Sequence, residues 1–534
     1  MKPTEKPHRF IAAHSEQISR QTTRFSILLS LLVAISLTTS LFFKQSWLWM
    51  DEVMSYILLS DPSRLHMNDA IVSNLDSNPP LYFNVVWTFA HGISLNPYFL
   101  RTLSILFFAT ATALFYRYTT RLTGTPQLNF LIFTVVLSLT YLNYLLSTQI
   151  RSYGFYLLTS CLYFLAAHPL IKYPAKLRNL ALHWLAGSVL VMTHNFGSFY
   201  VAASLGFFAL LYAWSKRQAY WWVAASHLLI FGLWFGLWYS SFQIQSMGGE
   251  AHSWIPKPSF MIFFRLFGEL IPTLSYRLEQ TALLAFLPVL RVVIVLGLFV
   301  YIVASQLKKG YSFVRDDDAF SFYLFTGCVA IITGLGTTIL SSVYISVFLS
   351  RYQWPSHLLI LFQLAYAVHY LAPNAKFSPK LIRFVPLYTV LLMGFMIYQN
   401  RKIVHFPSGI LNYLPDNAAN YPVFFESADY FLPIWHHKLA NAHFLMHQKT
   451  AFMPGNLLNS ASDYNIIASM REKYDVPQIV WSREFTKARF PHFYVVDESS
   501  RYQLEYFIKN GRVKIVSVTP VPIEGHRIVE CELL

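Results

Sequence analysis

Residues 25–43 read FSILLSLLVAISLTTSLFF, about 19 residues without a single charge. As a helix this run crosses the hydrocarbon layer of a bilayer, because each residue rises about 1.5 Å and that layer is about 30 Å thick. Comparable runs recur along the chain. With 55% hydrophobic and only 13% charged residues among 534, there is too little polar surface to cover a water-soluble core of this size. The chain is therefore a polytopic α-helical membrane protein, and its topology decides which side each charged residue faces.

The first 24 residues are polar and carry Lys2, Lys6, Arg9, Arg20 and Arg24, which holds them in the cytoplasm and makes residues 25–43 a retained anchor. The next apolar stretch, Pro79 to Ile93, is short for a span and opens with two prolines, so it reads as an interfacial or re-entrant helix. With that helix kept at the outer surface, alternation puts Arg117 and Arg121, Lys172 to Arg178, Lys216 and Arg217, Lys308 to Arg315, and Lys376 to Arg383 all in the cytoplasm. Counting it as a span would invert every one of these clusters. The expectation is about 11 transmembrane helices in residues 25–400, outer loops at 44–98 and 241–286, and a C-terminus outside. The net charge of +15 then serves topology and anionic lipid, with no nucleic acid partner.

From about residue 401 the pattern changes to short β-type runs, YPVFFE, PQIVWS, HFYVVD and RVKIVSVTPV, separated by polar or helical stretches such as SADYFLPIWHHKLANAHFLMH. Residues 401–534 are expected to form a small α/β extracytoplasmic domain. Its sequence assigns it no chemistry. Cys161, Cys328 and Cys531 have no metal-ligand or disulfide spacing.

On this topology Asp51, Glu52, Arg101, Gln149, Arg151, His194 and Arg351 all stand at outer helix ends or in outer loops. Ionisable groups at membrane depth suggest function. A partly desolvated carboxylate suits proton abstraction from a hydroxyl, and arginines suit a phosphate leaving group. Each residue alone also has an ordinary explanation: acids at a helix start, arginines snorkelling to headgroups, a packed histidine.

Taken in order, WLWMDEVMSY, SNPPLYFNVVW, LRTLSILFFATATALFYRYTTRLTG, STQIRSYGFYLL, THNFG and SRYQWP resemble bacterial GT-C fold glycosyltransferases that use lipid-linked sugars. These are relatives of the protein O-mannosyltransferases and of the transferase that puts aminoarabinose on lipid A. The resemblance covers roughly residues 20–400. It implies that Asp51 is the base that activates the acceptor, and that Glu52 shapes the site or holds a metal where one is used. It further implies that Gln149, Arg151 and Tyr153 line the cavity and that Arg351 meets the donor phosphate. Asn78 stands before the prolines where such enzymes usually carry His or Lys, and an amide can hydrogen-bond a sugar but cannot shuttle a proton.

The implied reaction is inverting transfer from a polyprenyl-phosphate sugar to the hydroxyl of a lipid, glycan or protein acceptor, at the outer face of a bacterial inner membrane. The sequence assigns no definite cofactor; a divalent metal has room near Glu52 and His194, but two scattered candidates do not define its ligands. No Gly-rich phosphate loop is present, and a lipid donor needs none. The competing readings are a polytopic transporter or lipid flippase without transferase chemistry, and a membrane scaffold. Against the transporter, the charged groups gather at one face, and no pair of Gly/Pro-interrupted repeats is visible.

Overall fold

A computed structural model describes residues 6–43, 47–247, 255, 257–273, 284–344, 346–372, 408–453, 461–498 and 503–534, with scattered positions between 384 and 398. Its membrane part comprises α1 (Lys6–Phe43), α2 (Met50–Ser60), α3 (Leu81–Gly92), α4 (Pro97–Thr123), the pair α5 (Pro126–Leu139) and α6 (Tyr141–Ser147), and α7 (Tyr153–Ala167). There follow α8 (Leu177–Thr193), α9 (Gly197–Ser215), α10 (Tyr220–Met247), α11 (Phe260–Gly268), α12 (Leu287–Leu307), α13 (Asp318–Val343) and α14 (Pro355–Leu371).

Among the described residues seven helices are long and apolar enough to cross a membrane, or eight if α5 and α6, bent by 71° at Thr140, count as one span. The expected number was about 11. Two of the missing spans are α8 and α14, each 17 residues, at the lower end of the length a spanning helix needs. The last, near residues 383–400, lies largely outside the described residues. The short segment after Pro79 forms α3, 12 residues long, too short to span and packed beside α2.

Local chemistry sets the helix ends. Asn96 accepts from the Tyr98 amide with Pro97 at the first helical position of α4, and Gly124 closes that helix in the left-handed conformation at φ 70°. Gly154 lets α7 cross α4 closely: a Cβ there would stand 2.5 Å from the Ser104 carbonyl oxygen.

The C-terminal domain is a six-stranded sheet in the order β3-β2-β1-β4-β6-β5. Its strands are β1 (Val423–Phe425), β2 (Ala442–Met446), β3 (Ile479–Trp481), β4 (His492–Glu498), β5 (Val513–Pro520) and β6 (His526–Leu533). The first four are parallel; β6 pairs antiparallel with β4 and β5. Two strands were not foreseen. AHFLM, read as the tail of a long helix, is β2, because the helix α15 (Ala428–His436) stops where Lys438 turns to φ 53°.

The domain is fastened to the membrane part. Helix α15 packs on α2, with the His436 ring 5.5 Å from Tyr56 and the His437 Nε2 accepting from the Leu48 amide at 2.9 Å. Across the interface Lys473 pairs with Asp69 at 2.6 Å and Tyr474 donates to Asp61 at 2.8 Å.

Candidate active site

Asp51 and Glu52 occupy the first turn of α2. Neighbours on a helix project about 100° apart, so two adjacent acids cannot share one environment. Glu52 turns inward and is wholly buried. It accepts from Arg101 at both oxygens, Nε at 2.8 Å and Nη2 at 2.6 Å, and Oε1 also takes the Ile150 amide at 2.9 Å. This bidentate pair is charge-assisted and geometrically fixed. It ties α2, α4 and the loop before α7 together.

Asp51 turns the other way. Its Oδ2 lies 3.8 Å from Arg151 Nε and 3.6 Å from Arg351 Nη1, and its side chain keeps 14% of its surface open, against none for Glu52. Arg151 comes from the corner that Glu52 holds through Ile150; Arg351 comes from the turn ahead of α14 and is the more open of the two, at 23%. Residues far apart in sequence thus meet around one carboxylate.

Asp76 completes the cluster. Its Oδ2 accepts from Arg151 Nη1 at 2.8 Å, and its Oδ1 takes both the amide and the side chain of Asn78, at 2.9 and 3.1 Å. Burial works against the Arg151 charge, but Asp76 and Asp51 outweigh it and hold the guanidinium above the ordinary arginine value. Asp76 had no signal in the sequence: it lies in a loop after a turn whose Asn74 takes φ 86°, outside any periodic pattern.

The remaining predicted residues fall around this centre with other partners. Asn78 is buried and bonded to Asp76, and its Oδ1 accepts from the Asn195 amide at 3.4 Å. His194 caps α8, accepts at Nδ1 from the Phe196 amide at 3.1 Å and stacks on Tyr156 at 4.5 Å. Burial, with the charges of Arg151 and Arg351, drives it down to about 3, so the ring is neutral at any physiological pH. Tyr153 is buried, its ring 6.3 Å from His194. The Gln149 carbonyl accepts from Ser104 Oγ at 2.7 Å, while its side-chain Oε1 is buried without a partner among the described residues.

Glu52, expected to bind substrate or hold a metal, is wholly buried in its pair with Arg101, and His194, the second candidate for a metal, stacks on Tyr156 and accepts at Nδ1 from the Phe196 amide. No group of three metal-binding side chains occurs among the described residues.

The C-terminal domain contributes a residue that sequence reasoning missed. Asp429, in the first turn of α15, is open to water. Surrounding protein nevertheless desolvates its carboxyl and raises it above the usual aspartate value, with Asp51 adding to the effect and Arg351 opposing it.

A second space is apolar. A cavity of about 200 Å³ lies between α11, α12, α13 and α14, lined by residues such as Phe267, Phe299, Ala330 and Ile360. Ile360 is on the helix that follows Arg351.

No family model matches the chain, and no curated relative matches it. Solved structures do. The crystal structure of ArnT, the lipid A aminoarabinose transferase, from Cupriavidus metallidurans in the apo state superposes with a TM-score of 0.55 at 11% identity, covering 95% of this chain and 98% of that one. The same protein bound to undecaprenyl phosphate gives 0.52 at 13% identity, covering 95% and 97%. At such identities the likeness is one of fold, and it runs through both the membrane part and the C-terminal sheet: the chain is a multi-pass membrane protein with a GT-C-like fold.

Proposed function

We propose that this protein is a membrane glycosyltransferase that moves a sugar from a polyprenyl-phosphate donor to an acceptor hydroxyl at the extracytoplasmic face, with inversion at the anomeric carbon. The observation that carries the reading is the Asp51 carboxylate set between Arg151 and Arg351 at 3.8 and 3.6 Å, open to water on one side. The likeness to an ArnT structure holding undecaprenyl phosphate supports a lipid-linked donor. The basic clusters between spans support an N-terminus in the cytoplasm, a C-terminus outside and residence in a bacterial inner membrane.

In this scheme the donor phosphate approaches Arg351, the more accessible guanidinium, and competes with Asp51 for it. Asp51 then has lone pairs free for the acceptor hydroxyl. The acceptor oxygen forms its bond to the anomeric carbon as the bond from that carbon to the phosphate oxygen breaks; its proton goes to Asp51. The bonding pair leaves with the phosphate, whose growing charge Arg351 and Arg151 neutralise in a site already organised for it. Glu52 and Asp76 do not touch substrate: Glu52 fixes the loop that carries Arg151, and Asp76 fixes the guanidinium itself.

The test is purified protein in lipid nanodiscs, given a polyprenyl-phosphate sugar and assayed for release of polyprenyl phosphate. Asp51→Asn should lower turnover by roughly 10²- to 10⁴-fold, the range for removing a general base, with unchanged yield of folded protein. Normal turnover in that variant would remove Asp51 from its role. Movement of intact lipid between leaflets without cleavage would favour the flippase.

A further inference from the structure

The THNFG corner offers His194 as its candidate for the site, but the next residue reaches further. Asn195 donates from its side-chain Nδ2 to the Ser77 carbonyl at 2.6 Å, and its backbone amide donates to Asn78 Oδ1 at 3.4 Å. Neighbours decide which end of an amide side chain points where. Here Trp234 Nε1, on α10, donates to Asn195 Oδ1 at 3.3 Å and leaves the NH2 end for Ser77. Gln245 stands eleven positions after Trp234, about three turns along the same face of α10. Its Nε2 donates to the Asp76 carbonyl at 3.0 Å and to the Ile71 carbonyl at 3.5 Å, so one amide spans both ends of the turn between them.

That turn has to be held from outside. The segment Ile71–Leu75 leaves helical geometry at Ser73 and Asn74, and Asn74 takes φ 86°, in the left-handed region that side chains disfavour. Such backbone persists where its surroundings over-determine it. Ser469 Oγ, from the helix Ala461–Tyr474 of the C-terminal domain, donates to the Ser73 carbonyl; α10 and the THNFG corner supply the other contacts. A continuous series of hydrogen bonds results. It runs from Trp234 to Asn195, from Asn195 to Asn78 and from Asn78 to Asp76 Oδ1, while Asp76 Oδ2 takes Arg151. Asp51 lies 3.8 Å from that guanidinium.

We propose that Asn195 and Gln245 are positioning residues for the transfer: they hold the loop of Asp76, and through Asp76 the Arg151 guanidinium, where charge grows on the leaving phosphate. The proposal rests on the transferase reading above and adds two residues to its site. A long, freely rotating side chain stabilises a transition state best when it already points at the charge before the charge develops. Arg151 takes its direction from Asp76, and Asp76 takes its place from two amide side chains, one on α10 and one on the corner between α8 and α9. Since the donor phosphate meets Arg351 first in this scheme, slack in Arg151 lowers kcat and leaves KM for the donor nearly unchanged.

The experiment uses the full-length protein in nanodiscs, with a polyprenyl-phosphate sugar that the wild type turns over, at equal yields of folded protein. Asn195→Asp keeps the shape and the Trp234 bond but, ionised, sets an acceptor against the Ser77 carbonyl; Gln245→Met keeps the length and donates nothing. Each should lower kcat by about tenfold, as the loss of one such hydrogen bond does, and move KM by less than about twofold. In an Asp76→Ala background the same substitutions should cost less than about twofold, because residues that act through one partner are not additive. Amide exchange over residues 71–78 should quicken in both variants while exchange in the C-terminal sheet stays the same. Wild-type kcat in both variants overturns the proposal, as does unchanged exchange in the loop, or a full loss that persists in the Asp76→Ala background. A wild type that releases no polyprenyl phosphate from any donor overturns the transferase reading instead, and the exchange measurement then still decides whether these two amides hold the loop.

Discussion

At the scale of single residues, two acids one position apart do opposite work because the helix turns them apart. The cost of desolvating Glu52 is met by a bidentate arginine and a backbone amide, so it is a fixture of the fold; Asp51 keeps a wet edge and is the group proposed for the chemistry. Reading the pair from sequence located both but could not divide them, since that depends on which face of α2 meets Arg101. The same reasoning gives a pH dependence in the C-terminal domain. Burial pushes the Glu498 carboxyl from 4.5 up to about 7, although Ser427 and His526 pull it down. The folded protein therefore binds more protons than the unfolded chain between those values, and stability contributed by this group is full below about 4.5 and lost as pH rises through 7. Glu498→Gln should flatten this decline and raise stability at pH 8 by on the order of 3 kcal/mol. Melting curves of the detergent-solubilised protein from pH 5 to 8 check it; parallel curves for variant and wild type would refute it.

Among elements, the long apolar spans and the short β1, β3, β4 and β5 strands were legible, because length and period carry them directly. The five-residue β2 and the strand β6 were not: AHFLM is compatible with either helix or strand, and only its pairing with β1 and β3 decides. Asp76 and Asp429 escaped for a related reason, being placed by a loop conformation and by domain docking. One element contact governs the site closely. Gly154 sits three residues after Arg151, where α7 meets the backbone of α4 at Ser104, and a carbonyl cannot move aside as a side-chain tip can. Gly154→Ala should push α7 off α4, lower stability by about 1–3 kcal/mol, and reduce kcat more than it raises KM, since the Arg151 corner moves while Arg351 stays. Steady-state kinetics beside a thermal melt read both. A fully stable variant with wild-type kcat would show that this crossing does not set the corner.

For the whole molecule, the proposed chemistry requires a substrate that is greasy at one end and polar at the other, and the architecture divides the same way. Arginines and Asp51 sit at one end of the bundle beneath the sheet domain, while the apolar cavity of about 200 Å³ lies between α11, α12, α13 and α14. A prenyl chain leaving a phosphate at Arg351 can follow α14 down to Ile360 at its wall, remaining in an environment as apolar as the bilayer while the headgroup stays wet. Filling this space should then penalise long chains alone. Ala330, on the α13 side of the cavity, is the position to enlarge, because it is a small side chain on that wall. Ala330→Phe is expected to raise KM for a polyprenyl-phosphate sugar of full length by about tenfold, the value of a few buried methylene groups. It should leave a donor truncated to two isoprene units almost unaffected. Equal effects on both donors, or none on either, would mean that the chain takes another route along the bundle.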